Sequence, residues 1–172
     1  MTYQQVAAMF ILLAVGLPIA SAHARLPKPK SKAIVVQQSI GGVAIGSKFR
    51  AVTERWGKNK RCQAGPTTFT CTYRGGRAMG SAHVVQIGGR VRTIAIGLGA
   101  DAAGRPVYAG PLMKFRTRDG IGLGSPAAAV RAAYPAAQST AADVLTIGAP
   151  GGRQTTFALR DGVVHKIGIT AN

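Results

Sequence analysis

Gly42-Val43-Ala44-Ile45-Gly46-Ser47-Lys48-Phe49-Arg50-Ala51-Val52-Thr53-Glu54-Arg55-Trp56-Gly57 aligns without a gap with Gly120-Ile121-Gly122-Leu123-Gly124-Ser125-Pro126-Ala127-Ala128-Ala129-Val130-Arg131-Ala132-Ala133-Tyr134-Pro135. The two stretches share Gly42/Gly120, Gly46/Gly124, Ser47/Ser125, Ala51/Ala129 and Val52/Val130, and Trp56 is matched by Tyr134. This pairing predicts a duplicated unit. In each copy the serine stands where its oxygen would accept a hydrogen bond from an unpaired amide of a first helical turn. Pro126 takes the first helical position, where its missing N–H costs nothing. The helices that follow, 48–56 and 126–134, put Ala51, Val52 and the aromatic residue on one stripe of helical spacing. Gly57 and Pro135 end them. Helices of roughly nine residues are marginal alone and need a sheet to hold them.

Working outward, residues 69–74 alternate in character, and 83–87 turn through Gly88-Gly89 into 90–96. The second half offers 144–147, then 154–160, which turn through Asp161-Gly162 into 163–169. Gly-Gly and Asp-Gly between alternating runs signal two-residue hairpins, because both central residues need positive φ. The expected fold is α+β: two tandem helix-plus-three-stranded antiparallel sheet repeats, with the helices packed on one sheet face. The expected organisation is a signal peptide at 1–24, a basic Pro/Lys-rich tail and short lead-in at 25–40, repeat 1 at 41–97, a connector at 98–117 and repeat 2 at 118–172. Units this small bury little surface alone, so they are expected to share one sheet or core.

Residues 1–24 carry no charged side chain, and the apolar run from 6 to 20 ends in Ala20-Ser21-Ala22-His23-Ala24. That is the pattern of a secretory signal peptide cleaved after Ala24. The competing reading is an uncleaved anchor; against it, the run is shorter than the roughly 20 residues a bilayer needs and Pro18 interrupts it. About 148 residues remain, enough for one ordinary domain. They hold all 22 Lys and Arg against five acids, Glu54, Asp101, Asp119, Asp143 and Asp161, for a net charge of +17. Such an imbalance attracts anionic partners at long range. In an exported chain Cys62 and Cys71 are expected to form a disulfide, two separate thiols being the alternative. The segment Arg25-Leu26-Pro27-Lys28-Pro29-Lys30-Ser31-Lys32 disfavours helix and is expected to be an extended, mobile tail.

A glycine-bearing lead-in that ends in Gly-[Ser/Met], a short helix closing on an aromatic residue and Gly or Pro, then a Cys- and Tyr-bearing strand and a hairpin, resembles the β-lactamase-inhibitor-protein-like fold. Small outer-membrane-assembly lipoproteins share that fold, and 118–135 looks like the second repeat of small secreted bacterial proteins of the group. The resemblance covers about 41–169. It implies helices on one face of an antiparallel sheet and a free opposite face, and it implies no activity. The free face is expected to carry Thr70, Thr72, Arg74, Val84, Gln86, Thr93, Thr156, Ala158, Arg160 and Lys166. Such a face lacks the aromatic anchors of tight interfaces.

No catalytic constellation stands out. Ser125 precedes a proline at a helix start, where capping explains it, and no nucleophile elbow or His-acid pair accompanies it. His83 and His165 each begin an apolar strand face. The acids are too few for a two-carboxylate mechanism. No metal site and no cofactor are expected, and one Trp with scattered Tyr and Phe offers no platform for nucleic-acid bases. The candidate binding residues are the cations Arg55, Lys58, Lys60 and Arg61, with Arg74 and Lys166. The first four are either a solvated helix end favoured by the dipole or, joined by Lys28, Lys30 and Lys32, an anion-binding surface. The expected function is that of a secreted or periplasmic, non-enzymatic binding module with no transmembrane segment after signal cleavage. Its partner would be an extracytoplasmic protein or an anionic envelope polymer. The alternative is an inhibitor of a secreted hydrolase such as a β-lactamase or protease.

Overall fold

The computed structural model describes residues 25–59 and 61–171. The signal-peptide expectation for 1–24 and the candidate residue Lys60 lie outside the described residues. In chain order the elements are β1 (Ala33–Val35), β2 (Ser39–Ile40), β3 (Val43–Ala44), α1 (Phe49–Trp56), β4 (Cys62–Ala64), β5 (Thr68–Arg74), β6 (Ser81–Ile87) and β7 (Arg90–Gly97). They continue with β8 (Gly99–Ala100), β9 (Pro106–Val107), a 3₁₀ turn (Pro111–Lys114), β10 (Arg116–Thr117), α2 (Ala127–Ala133), β11 (Gln138–Ala141), β12 (Val144–Ile147), β13 (Arg153–Arg160) and β14 (Val163–Ala171).

The expected pair of helix-plus-three-strand repeats is overturned. Each helix is followed by four strands, and all of these belong to one antiparallel eight-stranded sheet of order β11-β12-β13-β14-β7-β6-β5-β4. A second sheet of four strands, β10-β1-β2-β3, has no counterpart in the expected plan. The strands of the large sheet that were not expected, β4 and β11, are edge strands of three and four residues. Their sequences lack apolar alternation because one neighbour supplies all their ladder bonds and neither face is deeply buried. β1 pairs in parallel with β10, Ala33 against Arg116 and Ile34 against Thr117, so residues far apart in the chain close the small sheet.

Cross-strand register explains which face is the core. Tyr73, Ala82, Ile96, Ile167, Phe157 and Leu145 are successive partners across six strands, and all are buried. The next core row runs Cys71, Val84, Ile94, Ile169 and Thr155. Trp56 of α1 meets Tyr73 edge-on at 5.5 Å, and Tyr134, which closes α2, stacks on Phe157 at 6.1 Å. Burying one such large side chain stabilises by roughly 1.5–3 kcal/mol. Between these rows lies Thr72, His83, Ala95, Gly168 and Thr156 on the opposite face. Val84 and Gln86, expected on that free face, therefore point into the core, at 1% and 4% exposure. His83 and Val85 take their places, because β6 pairs with β5 one residue out of the expected phase.

The helix starts also differ from expectation. Lys48 and Pro126 hold the capping positions without a side-chain cap. The Ser47 hydroxyl donates to the Ala44 carbonyl at 2.6 Å, and the Ser125 hydroxyl accepts from the Gly122 amide at 3.0 Å. Each serine thus closes the turn before the helix. Backbone bonds then tie that turn to the sheet: Gly46 N–H to Val91 O and Val91 N–H to Ser47 O, with Gly124, Val164 and Ser125 bonded in the same way.

Cys62 and Cys71 face each other across β4 and β5 and form a disulfide. It closes a short loop, so its reduction is expected to lower stability by about 2 kcal/mol, the low end of the usual range. Denaturant titration with and without a thiol reductant measures this.

Candidate functional site

The segment expected to be a mobile tail is docked. Leu26 is 8% exposed and belongs to the core cluster, lying so close to Gly75 that a Cβ there would come within 2.6 Å of Leu26 Cδ1. Pro27 and Pro29 are buried as well. Lys32 donates from Nζ to the Pro29 carbonyl at 2.7 Å and sits 5.4 Å from the centre of the Phe115 ring. Burial first, and the neighbouring Lys114 second, hold the Lys32 amine below its ordinary 10.5.

Docking of this segment against the β5–β6 turn and the β7–β8 junction forms a cleft of about 850 Å³. Three of its cations, Arg25, Lys28 and Lys32, come from the segment; Arg61, Arg74 and Arg77 come from the sheet side. No acid lines it. The acid nearest in sequence, Asp101, beside the lining residue Ala100, is engaged by the Arg105 guanidinium at 2.9 Å and the Arg105 amide at 2.8 Å. Those hydrogen bonds lower its pKa. A second hollow of about 440 Å³ is lined by Arg61, Cys62, Gln63, Thr70, Thr72 and Arg74. Arg61 and Arg74 line both spaces and stand at their junction. The disulfide next to Arg61 anchors that position to β5.

Of the cations singled out in the sequence, Arg61 and Arg74 are brought together here. Arg55 lies elsewhere, its guanidinium beside Gly42, and Lys58 lines neither space. Lys166 faces Gly97 on the free sheet face. Lys28 and Lys32 of the tail join the cleft, whereas Lys30 does not. Arg25 and Arg77 escaped the sequence reading. Arg77 follows a Gly75-Gly76 pair, a turn signal that places it at a strand end but does not indicate what it will meet.

His83 accepts or donates through both ring nitrogens, to Thr72 Oγ1 at 3.2 Å and Ser81 Oγ at 3.0 Å. Ser81 also lines the cleft, which raises the question of a serine–histidine dyad. A general base must take up a proton as the reaction proceeds. Burial first, then the charges of Lys166 and Arg74, disfavour the imidazolium and hold the His83 pKa below 6.5. Both ring nitrogens are taken by hydroxyls, so among the described residues no carboxylate orients the imidazole as the third member of a triad would. His165 is lowered as well, by burial first, then by Arg160 and Lys166, with Asp143 opposing.

These depressed histidines make stability pH-dependent. The unfolded state takes up their protons at higher pH than the folded state, so stability is full above about 6.5 and falls as pH drops below it. Urea titrations at pH 8 and pH 5 should show this loss, and His83→Gln should reduce it. An unchanged loss in the variant would remove His83 as a source.

No protein-family model and no curated protein matches the chain. Solved structures similar to it include two extracellular or secretory proteins. One is an extracellular protein containing an SCP domain from Bacillus anthracis str. Ames, 12% identical, with a TM-score of 0.42 over 74% of this chain and 44% of that one. The other is a cysteine-rich secretory protein from Staphylococcus aureus subsp. aureus Mu50, 13% identical, with a TM-score of 0.39 over 87% of this chain and 49% of that one. The chain thus spans about half the length of these structures. The four-strand sets in one eight-stranded sheet, with a separate four-stranded sheet beside them, depart from the tandem-repeat plan on which the β-lactamase-inhibitor-like resemblance rested. The resemblance is accordingly corrected. The disulfide is consistent with an extracellular, oxidising setting. No helix of the described residues is long and apolar enough to cross a membrane.

Proposed function

We propose that this protein is a secreted or periplasmic binding module, not an enzyme, and that it takes an anionic component of its surroundings into the cleft between the segment 25–32 and the sheet end. One observation carries this reading: six basic residues line one concave space with no acid among its lining residues. Like charges gathered in a cleft repel one another, and an anion relieves that repulsion on binding. Guanidinium groups add paired N–H donors that match carboxylate or phosphate oxygens.

Calorimetric titration with inorganic polyphosphate tests the proposal. Affinity is expected to fall by at least about tenfold between about 50 mM and 500 mM NaCl, as screening shortens the reach of the cations. Absent or salt-insensitive binding overturns it.

A further inference from the structure

Cations alone do not account for the cleft. Leu26, Pro27, Met79, Leu98 and Pro111 line the same space, and Met79 remains 43% exposed. A large exposed apolar side chain beside converging cations gains nothing from a fully hydrated anion, but it does gain from an apolar body removed from water. The cleft volume of about 850 Å³ lies within the range of small-molecule pockets. The hollow beyond Arg61 and Arg74 is polar, with Gln63, Thr70 and Thr72 offering an amide and two hydroxyls.

We infer that the ligand is an anionic amphiphile, a phosphate or carboxylate head on a single alkyl chain. The head binds at the junction held by Arg61 and Arg74, and the chain runs along Leu26, Met79 and Leu98. This inference rests on the anion-binding reading and narrows it. The two faces of the site supply different selectivity: the guanidinium pair and hydroxyls recognise the head, and the apolar wall rejects ions that have no tail. Because Leu26 is carried by the docked segment 25–32, the wall exists only while that segment stays in place.

The full chain is titrated with dodecyl phosphate, dodecanoate, inorganic phosphate and dodecyl maltoside, each below its micelle concentration. Dodecyl phosphate is expected to bind at least about tenfold more tightly than inorganic phosphate and than dodecyl maltoside, since several methylenes leave water and the head keeps its charge. Dodecanoate binding equally well supports the inference with the head defined as any compact anion; clearly weaker dodecanoate binding supports it with a phosphate head. Met79→Ser is expected to remove at least about fivefold of the dodecyl phosphate affinity, while Arg118→Gln, which lies outside the cleft and also removes a positive charge, leaves it intact. Inorganic phosphate or polyphosphate binding with no gain from the dodecyl chain overturns the inference and leaves the anion-binding reading standing. Dodecyl maltoside binding as tightly as dodecyl phosphate overturns the inference, and failure of every anion to bind overturns both.

Discussion

Replacing Arg61 and Arg74 together with glutamine is expected to weaken binding of an anion in the cleft about 100-fold while leaving the fold intact. Both side chains are exposed, so neither supports the core, and both line the cleft and its neighbouring hollow. A hydrogen bond to a charged group contributes about 1.5–3 kcal/mol. In a cleft open to water the lower end applies, and that corresponds to about tenfold in affinity per residue. Glutamine keeps a donor and most of the length but loses the charge and the paired N–H geometry. The double variant should also show a shallower salt dependence than the native protein. Circular dichroism and thermal unfolding establish that the fold is unchanged. An affinity within twofold of the native value would exclude this junction as the anion site.

Gly99→Val is expected to destabilise the protein by about 3 kcal/mol or more and to abolish the cleft with it. A Cβ at Gly99 would overlap the Arg77 carbonyl oxygen and the Ala78 carbonyl carbon. Those are backbone atoms and cannot rotate away. The approach is held from both sides: the Ala100 amide donates to the Arg77 carbonyl at 3.0 Å, and Gly99 pairs with Val107 across β8 and β9. Any accommodation must therefore push the β5–β6 turn off the sheet end, taking Arg77 and Met79 out of position. Gly152→Ala is the matched control. Its Cβ would meet only the Ala149 carbonyl at 3.5 Å, so its effect should stay within about 0.5 kcal/mol. Chemical denaturation of both variants decides the matter, and equal midpoints would refute the close-approach explanation.

Short-range physics accounts for the features that were legible in the sequence. Gly88 and Gly89 have φ of 58° and 72°, and Asp161 and Gly162 have 53° and 73°. A two-residue turn with positive φ at both positions admits few residue types, so the doublets announced the hairpins. The disulfide was legible from two cysteines in a short loop. The two stretches that begin at Gly42 and Gly120 were recognisable as helix lead-ins, although the serines close turns and do not cap. Sheet composition was not legible. β4 and β11 form because β5 and β12 offer them a free row of backbone partners, and a Gln-Ser-Thr-Ala segment carries no sign of that. The face occupied by Val84 and Gln86 was lost for a related reason, since shifting a strand by one residue exchanges every side chain between faces.

The candidate site shows the same division. Arg61 and Arg74 stand out in sequence as cations near a disulfide, but Arg25 and Lys28 belong to a segment whose prolines and lysines suggest a solvated tail. Its docking depends on Leu26 finding a place above Gly75, a contact between residues almost fifty positions apart. By itself the sequence determined the sign and size of the charge, the hairpin turns, the helical stripes and the cysteine pair, because each depends on residue identity or on neighbours a few positions away. Only the tertiary structure decided the eight-stranded sheet, the small sheet closed by β1 and β10, and the gathering of six basic residues around one apolar-walled cleft. Those features arise from contacts between distant segments, whose register and proximity no local pattern encodes.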